Sequence, residues 1–143
     1  MRIVTVTAGA FLLAGVIWAD QYEDRAKLVG KWEAVEHASA KSPIWVVEDK
    51  GATIHITQTL GEEKVTEFEC ALGQECEVKD GGKSAKVTVY YNGARLVEME
   101  TRGKETFKRR FTLAQQPDMI EVEMIPIVPE GNTEKATYKR AAK

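Results

Sequence analysis

Residues 119 to 125 read Met119-Ile120-Glu121-Val122-Glu123-Met124-Ile125, with glutamates set between apolar side chains. Successive side chains of a strand point to opposite faces, so Ile120, Val122 and Met124 share one face while Glu121 and Glu123 share the other. That is the pattern of a strand with one wet face. The same period of two recurs in Ile54/Ile56, Val87/Val89/Tyr91, Val97/Met99 and Phe107/Phe111/Leu113, and each set is expected to face a common core.

Working outward, ten runs of this kind can be marked: Gly30 to His37, Ile44 to Glu48, Ala52 to Thr59, Lys64 to Cys70, Cys76 to Lys79, Ala85 to Tyr91, Ala94 to Thr101, Thr106 to Leu113, Met119 to Ile125 and Thr133 to Arg140. Short runs separated by turns favour an antiparallel sandwich or barrel. Asp49-Lys50-Gly51, Leu60-Gly61-Glu62, Asp80-Gly81-Gly82, Asn92-Gly93 and Gly131-Asn132 supply the turns, Asn92-Gly93 being the strongest two-residue hairpin signal. The fold expected is all-β, an antiparallel meander of about eight to ten short strands. Pro126 and Pro129 each remove a ladder donor, so a continuous central strand is not expected beyond Ile125. Residues Asp20 to Leu28 read as a short helix or an extended closing segment.

At the N-terminus Arg2 precedes an apolar run through Phe11, Leu12, Leu13, Val16, Ile17 and Trp18, and a polar run opens at Asp20. A basic residue, an apolar stretch and then small Ala19 are the parts of a secretory leader. We expect residues 1–19 to be a signal peptide and 20–143 to be one domain in the periplasm or extracellular medium, with no stable membrane span after processing. That length suits one modest core. Cys70 and Cys76 would then meet an oxidising compartment, where they are expected to form a structural disulfide across a turn. Their spacing is not that of a Cys-x-x-Cys redox pair.

Twenty Lys and Arg stand against 22 Asp and Glu, for a formal net charge of -2, and the signs are interspersed. No basic stripe is present to neutralise a phosphate backbone, so nucleic acid is not an expected partner. Lys108-Arg109-Arg110 reads first as solvated strand decoration. His37 and His55, the only histidines, lie in no zinc-binding motif, and no metal site is expected. Neither a nucleophile elbow nor a phosphate-cradling glycine loop occurs, so neither a catalytic residue nor a cofactor is assigned.

The segment Leu28-Val29-Gly30-Lys31-Trp32 resembles the Gly-x-Trp opening of lipocalin-like modules. Ser42 to Thr57 and the strands from Thr106 to Arg140 are similar to those of small bacterial exported proteins of that broad kind. The resemblance implies an up-and-down barrel with Trp32 as a structural residue near its closed end, and a fold that often holds small apolar ligands.

Within that reading Arg109 is in phase with Phe107 and Phe111, and Arg140 is in phase with Tyr138, so either arginine is a candidate to point inward. A buried guanidinium needs an acceptor, which a ligand carboxylate can supply through two hydrogen bonds. Arg109, Arg140, Tyr138, Tyr91, Phe107 and Phe111 are the candidate ligand-binding residues; the aromatic ones serve equally well as core filling. The functional expectation is a non-catalytic exported binding protein for a small apolar or fatty-acid-like carboxylate. The alternative is an envelope structural or protein-recognition module with a filled core, contacting an envelope protein through the apolar segment 124–129.

Overall fold

Alternation with turns at short intervals gives strands that each pair with the next. In the computed structural model, which describes residues 22–36, 42–80 and 82–142, ten strands form one antiparallel sheet. They are β1 Gly30–Ala34, β2 Pro43–Asp49, β3 Thr53–Leu60, β4 Glu63–Ala71, β5 Glu75–Asp80, β6 Lys83–Asn92, β7 Arg95–Arg102, β8 Glu105–Leu113, β9 Met119–Val128 and β10 Glu134–Arg140. The last strand pairs with the first, so the order is β4-β3-β2-β1-β10-β9-β8-β7-β6-β5. The result is a nearly closed up-and-down barrel whose seam lies between β4 and β5. The expected leader over residues 1–19 and His37 lie outside the described residues.

All ten expected strands are present, with three corrections. β1 stops at Ala34 rather than running to His37. β9 continues through Pro126 to Val128. The ladder with β8 changes register between Thr106 and Phe107, opposite this stretch, and an irregularity of that kind is where a strand accommodates proline. The third concerns the inner face of β7, and it matters for the site described below.

One end of the barrel is closed by its own residues. Residues 22–27 are helical and lead into buried Leu28, whose carbonyl accepts a hydrogen bond from Trp32 Nε1 at 2.9 Å. The Arg140 guanidinium lies over the Trp32 ring at 4.3 Å. It donates to the Val29 and Lys27 carbonyls, both at 2.9 Å, and to Asp118 at 3.0 Å. Gly30 sits beneath it with φ +142°, and a Cβ there would collide with Arg140 Nη1. Leu28, Trp32, Ile54, Leu96, Phe111 and Ile120 fill this half as an apolar plug.

The seam is stapled at the same end. Cys70 and Cys76 are disulfide-bonded with Cα atoms 5.7 Å apart, joining β4 to β5 where no ladder does so. The intervening turn is tied to its neighbours by Leu72 N–H to Ala52 O and Gly73 N–H to Val89 O.

Two stability predictions follow from this closed end. Gly30→Ala is expected to lower the unfolding free energy by about 1–3 kcal/mol; in an Arg140→Ala background it should cost less, a coupling that a urea double-mutant cycle reads directly. Replacing both cysteines with serine should cost about 2 kcal/mol through loop entropy alone, seen as a lower urea midpoint at unchanged slope.

Candidate ligand site

Above the plug the inner wall changes character, and the cause is the phase of β7. Its hairpin with β6 sets Tyr91 opposite Leu96 and Asn92 opposite Arg95, leaving Gly93 and Ala94 as the turn. Val89 then faces Glu98, and Val87 faces Glu100. The residues turned inward are therefore Leu96, Glu98 and Glu100, not Val97 and Met99 as their hydrophobicity suggested.

Glu98 is wholly buried, with 0% of its surface exposed, and it stands opposite Arg109 of β8, which is 7% exposed. Arg109 Nη1 donates to Glu98 Oε2, and Arg102 Nε donates to Glu100 Oε1. The Arg109 guanidinium also stacks on two rings, Trp45 at 4.7 Å and Phe107 at 5.1 Å. Trp45 in turn meets Phe111 edge-on, with centroids 5.4 Å apart. These side chains form a polar layer lying on an aromatic floor.

Trp45 Nε1 is buried with no hydrogen-bond partner among the described residues, and Glu98 Oε1 has no donor to accept from, although the Glu98 and Glu100 carboxyls lie within hydrogen-bonding reach of each other. Both belong to residues that touch the Arg109 guanidinium. Burial pushes the Glu98 carboxyl up to about 7; Arg109 pulls it down and neighbouring Glu100 pushes it further up.

The layer opens toward the other end of the barrel. Ala136 is on the inner face, opposite Val122 and two residues from buried Tyr138, yet it is exposed to solvent. A groove of about 320 Å³ at this mouth is lined by Phe107, Met124, Pro126, Val128 and Pro129, with Glu105, Thr106 and Glu130 at its polar edge. Met124 lies opposite Arg109 in the ladder, and Phe107 belongs to both the groove and the polar layer. A smaller hollow of about 200 Å³ follows the β4–β5 seam past Thr66 and Val78 to Arg102.

The candidate residues named from the sequence fall in different places. Arg109 and Phe107 are in the polar layer, and Phe111 is in its floor. The acceptor that Arg109 requires is supplied by Glu98, so the protein provides the carboxylate that a ligand was expected to bring. Reading Lys108-Arg109-Arg110 as uniformly solvated is corrected for the middle residue: Arg109 turns inward, whereas Arg110 pairs with Glu123 at 2.7 Å. Arg140, with Trp32, belongs to the closed end, and its guanidinium nitrogens are engaged by protein oxygens. Beside it a hollow of about 580 Å³ lies between the helical segment and the β8–β9 turn, lined by Asp24, Lys27 and residues 113–119.

Tyr138 is buried in the plug. Tyr91 is half-buried at the closed end, donating to Asp49 at 3.2 Å and covered by Arg25, and its phenol is pushed up to about 12 by burial and by Asp49. His55 lies on the outer wall between Glu48 at 2.6 Å and Glu67 at 3.0 Å. Hydrogen bonding to Glu48 raises its pKa against a smaller opposing effect of burial. Among the described residues no group of His, Cys, Asp and Glu could hold a metal ion, and no helix is long and apolar enough to cross a membrane. Glu98, Glu100, Arg102 and Trp45 are the residues of the layer not singled out as site residues from sequence.

No protein-family model matches the sequence, and no curated protein is significantly similar to it. Solved structures do match in fold. A secretory abundant heat soluble protein of Ramazzottius varieornatus superposes with a TM-score of 0.68 at 13% identity, covering 80% of this chain and 96% of that one. A fatty acid binding protein of Schistosoma mansoni, in complex with arachidonic acid, gives 0.67 at 16% identity over 83% and 99%. The REP1-NXSQ fatty acid transporter gives 0.66 at 16% identity over 82% and 98%. The fold is thus that of the lipocalin-like and fatty-acid-binding-protein-like barrels, and two of these three neighbours are by name binding or transport proteins.

The buried carboxyl gives stability a pH dependence whose sign is fixed. The folded-state pKa of Glu98 is above its unfolded value, so the stability linked to its protonated form is complete below about 4.5 and is lost as pH rises through about 7. His55, also raised, loses its contribution over a window that starts near 6.5. Urea unfolding between pH 5 and 8 should therefore show stability falling with pH. Glu98→Gln should flatten the lower part of that slope and His55→Asn the upper part. The slope is the diagnostic quantity, because Glu98→Gln also leaves Arg109 without its counter-ion.

Proposed function

We propose that this chain is an exported, non-catalytic carrier of a small apolar molecule, held in the open half of the barrel with its polar end at the Arg109 layer. The observation that carries this reading is the inward-facing but exposed Ala136, which marks an inner wall reachable from the mouth. A barrel whose only task was to fold would bury that face. Phe107, Met124 and Pro126 supply apolar contact, and transfer of apolar area from water provides the driving force, about 25 cal/mol per Å² before the costs of association are subtracted. The neighbour seen with arachidonic acid indicates what a barrel of this shape can accommodate. Export rests on the sequence of residues 1–19, and the Cys70–Cys76 disulfide supports it through the oxidising compartment it requires.

The test is a titration of delipidated protein, lacking residues 1–19, with Nile red, an uncharged apolar probe whose emission rises out of water. One saturable site is expected. Ala136→Trp, which adds bulk at an exposed inner position, should remove that site while the circular dichroism and urea midpoint remain close to wild type. Absence of saturable binding in the wild-type protein would favour the filled, protein-recognition alternative.

A further inference from the structure

The two ends of the barrel differ in how they hold their charges. In an up-and-down meander alternate connections share an end, so β1–β2, β3–β4, β5–β6, β7–β8 and β9–β10 all turn at the mouth. These turns and the strand ends beside them carry six exposed glutamates, Glu36, Glu62, Glu63, Glu105, Glu130 and Glu134, against Lys83, Lys104 and Arg102. Arg102 is drawn to buried Glu100. Lys41 and Asp80, which the sequence adds at the same end, offset each other. One residue further down the wall, Lys64 and Lys135 are paired with Glu67 and Glu121, so Lys79 is the cation this row adds. None of the six glutamates has a cationic partner among the described residues. At the closed end, by contrast, Asp24 is paired with Lys27 and Asp118 with Arg140.

Exposed apolar surface gathers at the mouth as well. Among the described residues the exposed large hydrophobic side chains are Val35 at 42%, Leu60 at 38%, Val128 at 52% and Tyr22, and only Tyr22 is at the other end. Val35 follows β1, while Leu60 and Val128 end β3 and β9, so the three lie along the adjacent strands β3-β2-β1-β10-β9. Val128 and Pro129 line the mouth groove, and Glu105 and Glu130 line the same groove. Apolar surface framed by charge of one sign is the composition of an association site.

The charge decides what fits there. An anionic lipid surface is repelled by the glutamates, and a phosphocholine surface carries no net charge to offset them. A second copy of this chain, set mouth to mouth, opposes glutamate to glutamate. A protein face with apolar side chains flanked by lysine or arginine satisfies both features of the rim. We propose that the mouth rim is a docking surface for a protein partner of that kind, with an apolar side chain of the partner against Val128 and Pro129 and its basic residues at Glu105 and Glu130. The surface is built from the rim alone and stands apart from the carrier reading.

The experiment follows the fluorescence anisotropy of a dye-labelled amphipathic peptide of repeated Leu-Lys-Lys-Leu-Leu-Lys-Leu units as protein lacking residues 1–19 is added, beside its counterpart with glutamate in place of lysine. The lysine peptide is expected to bind saturably and more weakly as salt is raised, and the glutamate peptide at least about tenfold more weakly than it. Glu105→Lys combined with Glu130→Lys, both exposed changes, should weaken the lysine peptide about tenfold. Val128→Ser should weaken it about threefold through lost apolar contact, whereas Glu23→Lys at the closed end should change it by less than about twofold. Absence of saturable binding by the lysine peptide, equal binding of the two peptides, or a loss from the mouth reversals no greater than that from Glu23→Lys overturns the proposal. Cosedimentation with phosphatidylcholine and with phosphatidylglycerol vesicles separates a lipid surface from a protein one. No vesicle binding is expected; vesicle binding that Val128→Ser weakens and the two charge reversals do not would assign the rim to lipid and overturn the protein partner. Nile red enters none of these measurements, so the carrier reading and the docking surface fail separately.

Discussion

The stacking of Arg140 on Trp32 is the contact on which the closed barrel depends. A ten-strand meander closes only if its last strand finds its first, and here β1 offers just five residues for that pairing. Its register places Trp32 directly opposite Arg140. The guanidinium then reaches past the strand to the carbonyls of residues 27 and 29, so one side chain fixes β10, β1 and the segment that plugs the end. Gly30 is required beneath it because any side chain would occupy the space the guanidinium uses. With that end sealed by apolar packing, the strands enclose space toward the other end, and the mouth follows from the lock.

Depth in the barrel is consequently a gradient of polarity. The plug of Leu28, Trp32, Leu96, Phe111 and Ile120 is dry and apolar, and the next layer carries Glu98 and Arg109 on a floor of Trp45 and Phe111. Above this, Phe107, Met124 and Pro126 line a groove open to solvent. Charge on the outer wall is handled differently: the Lys50–Glu69 contact is largely exposed and contributes little.

Strand number, order and most boundaries were legible because period-two alternation and glycine turns are local signals. The closed-end role of Trp32 was legible through the resemblance of its Gly-x-Trp segment. The inner wall of β7 runs against its hydrophobicity: Val97 and Met99 are more hydrophobic than Glu98 and Glu100, yet pairing with β6 turns the glutamates inward. The hairpin held the correction. If Val87, Val89 and Tyr91 face inward and the turn has two residues, the partners facing inward are Leu96, Glu98 and Glu100 whichever of the two adjacent dipeptides forms the turn. Reading phase across a hairpin would have brought Glu98 to Arg109 before any coordinates. The proline-containing stretch 126–128 was not legible as strand, since its continuation depends on a register change in the partner strand. The unpaired state of Trp45 Nε1 was beyond sequence altogether, because it depends on atoms from three strands.

The Glu98–Arg109 pair needs a reason beyond folding. Removing two charges from water is costly enough that buried ion pairs are often matched or bettered by apolar residues of similar volume. A leucine and a methionine at these positions would extend the plug, continue the pattern of Leu96 and Phe111, and leave no orphaned atom. Instead the chain holds Glu98 where burial and neighbouring Glu100 push its carboxyl up to about 7, beside an indole N–H that lacks a partner among the described residues. An unsatisfied buried group such as that N–H costs about 1–3 kcal/mol, a sizeable part of the roughly 5–15 kcal/mol by which a domain is stable. On the proposed carrier reading, the ion pair serves an incoming group at the cost of the fold.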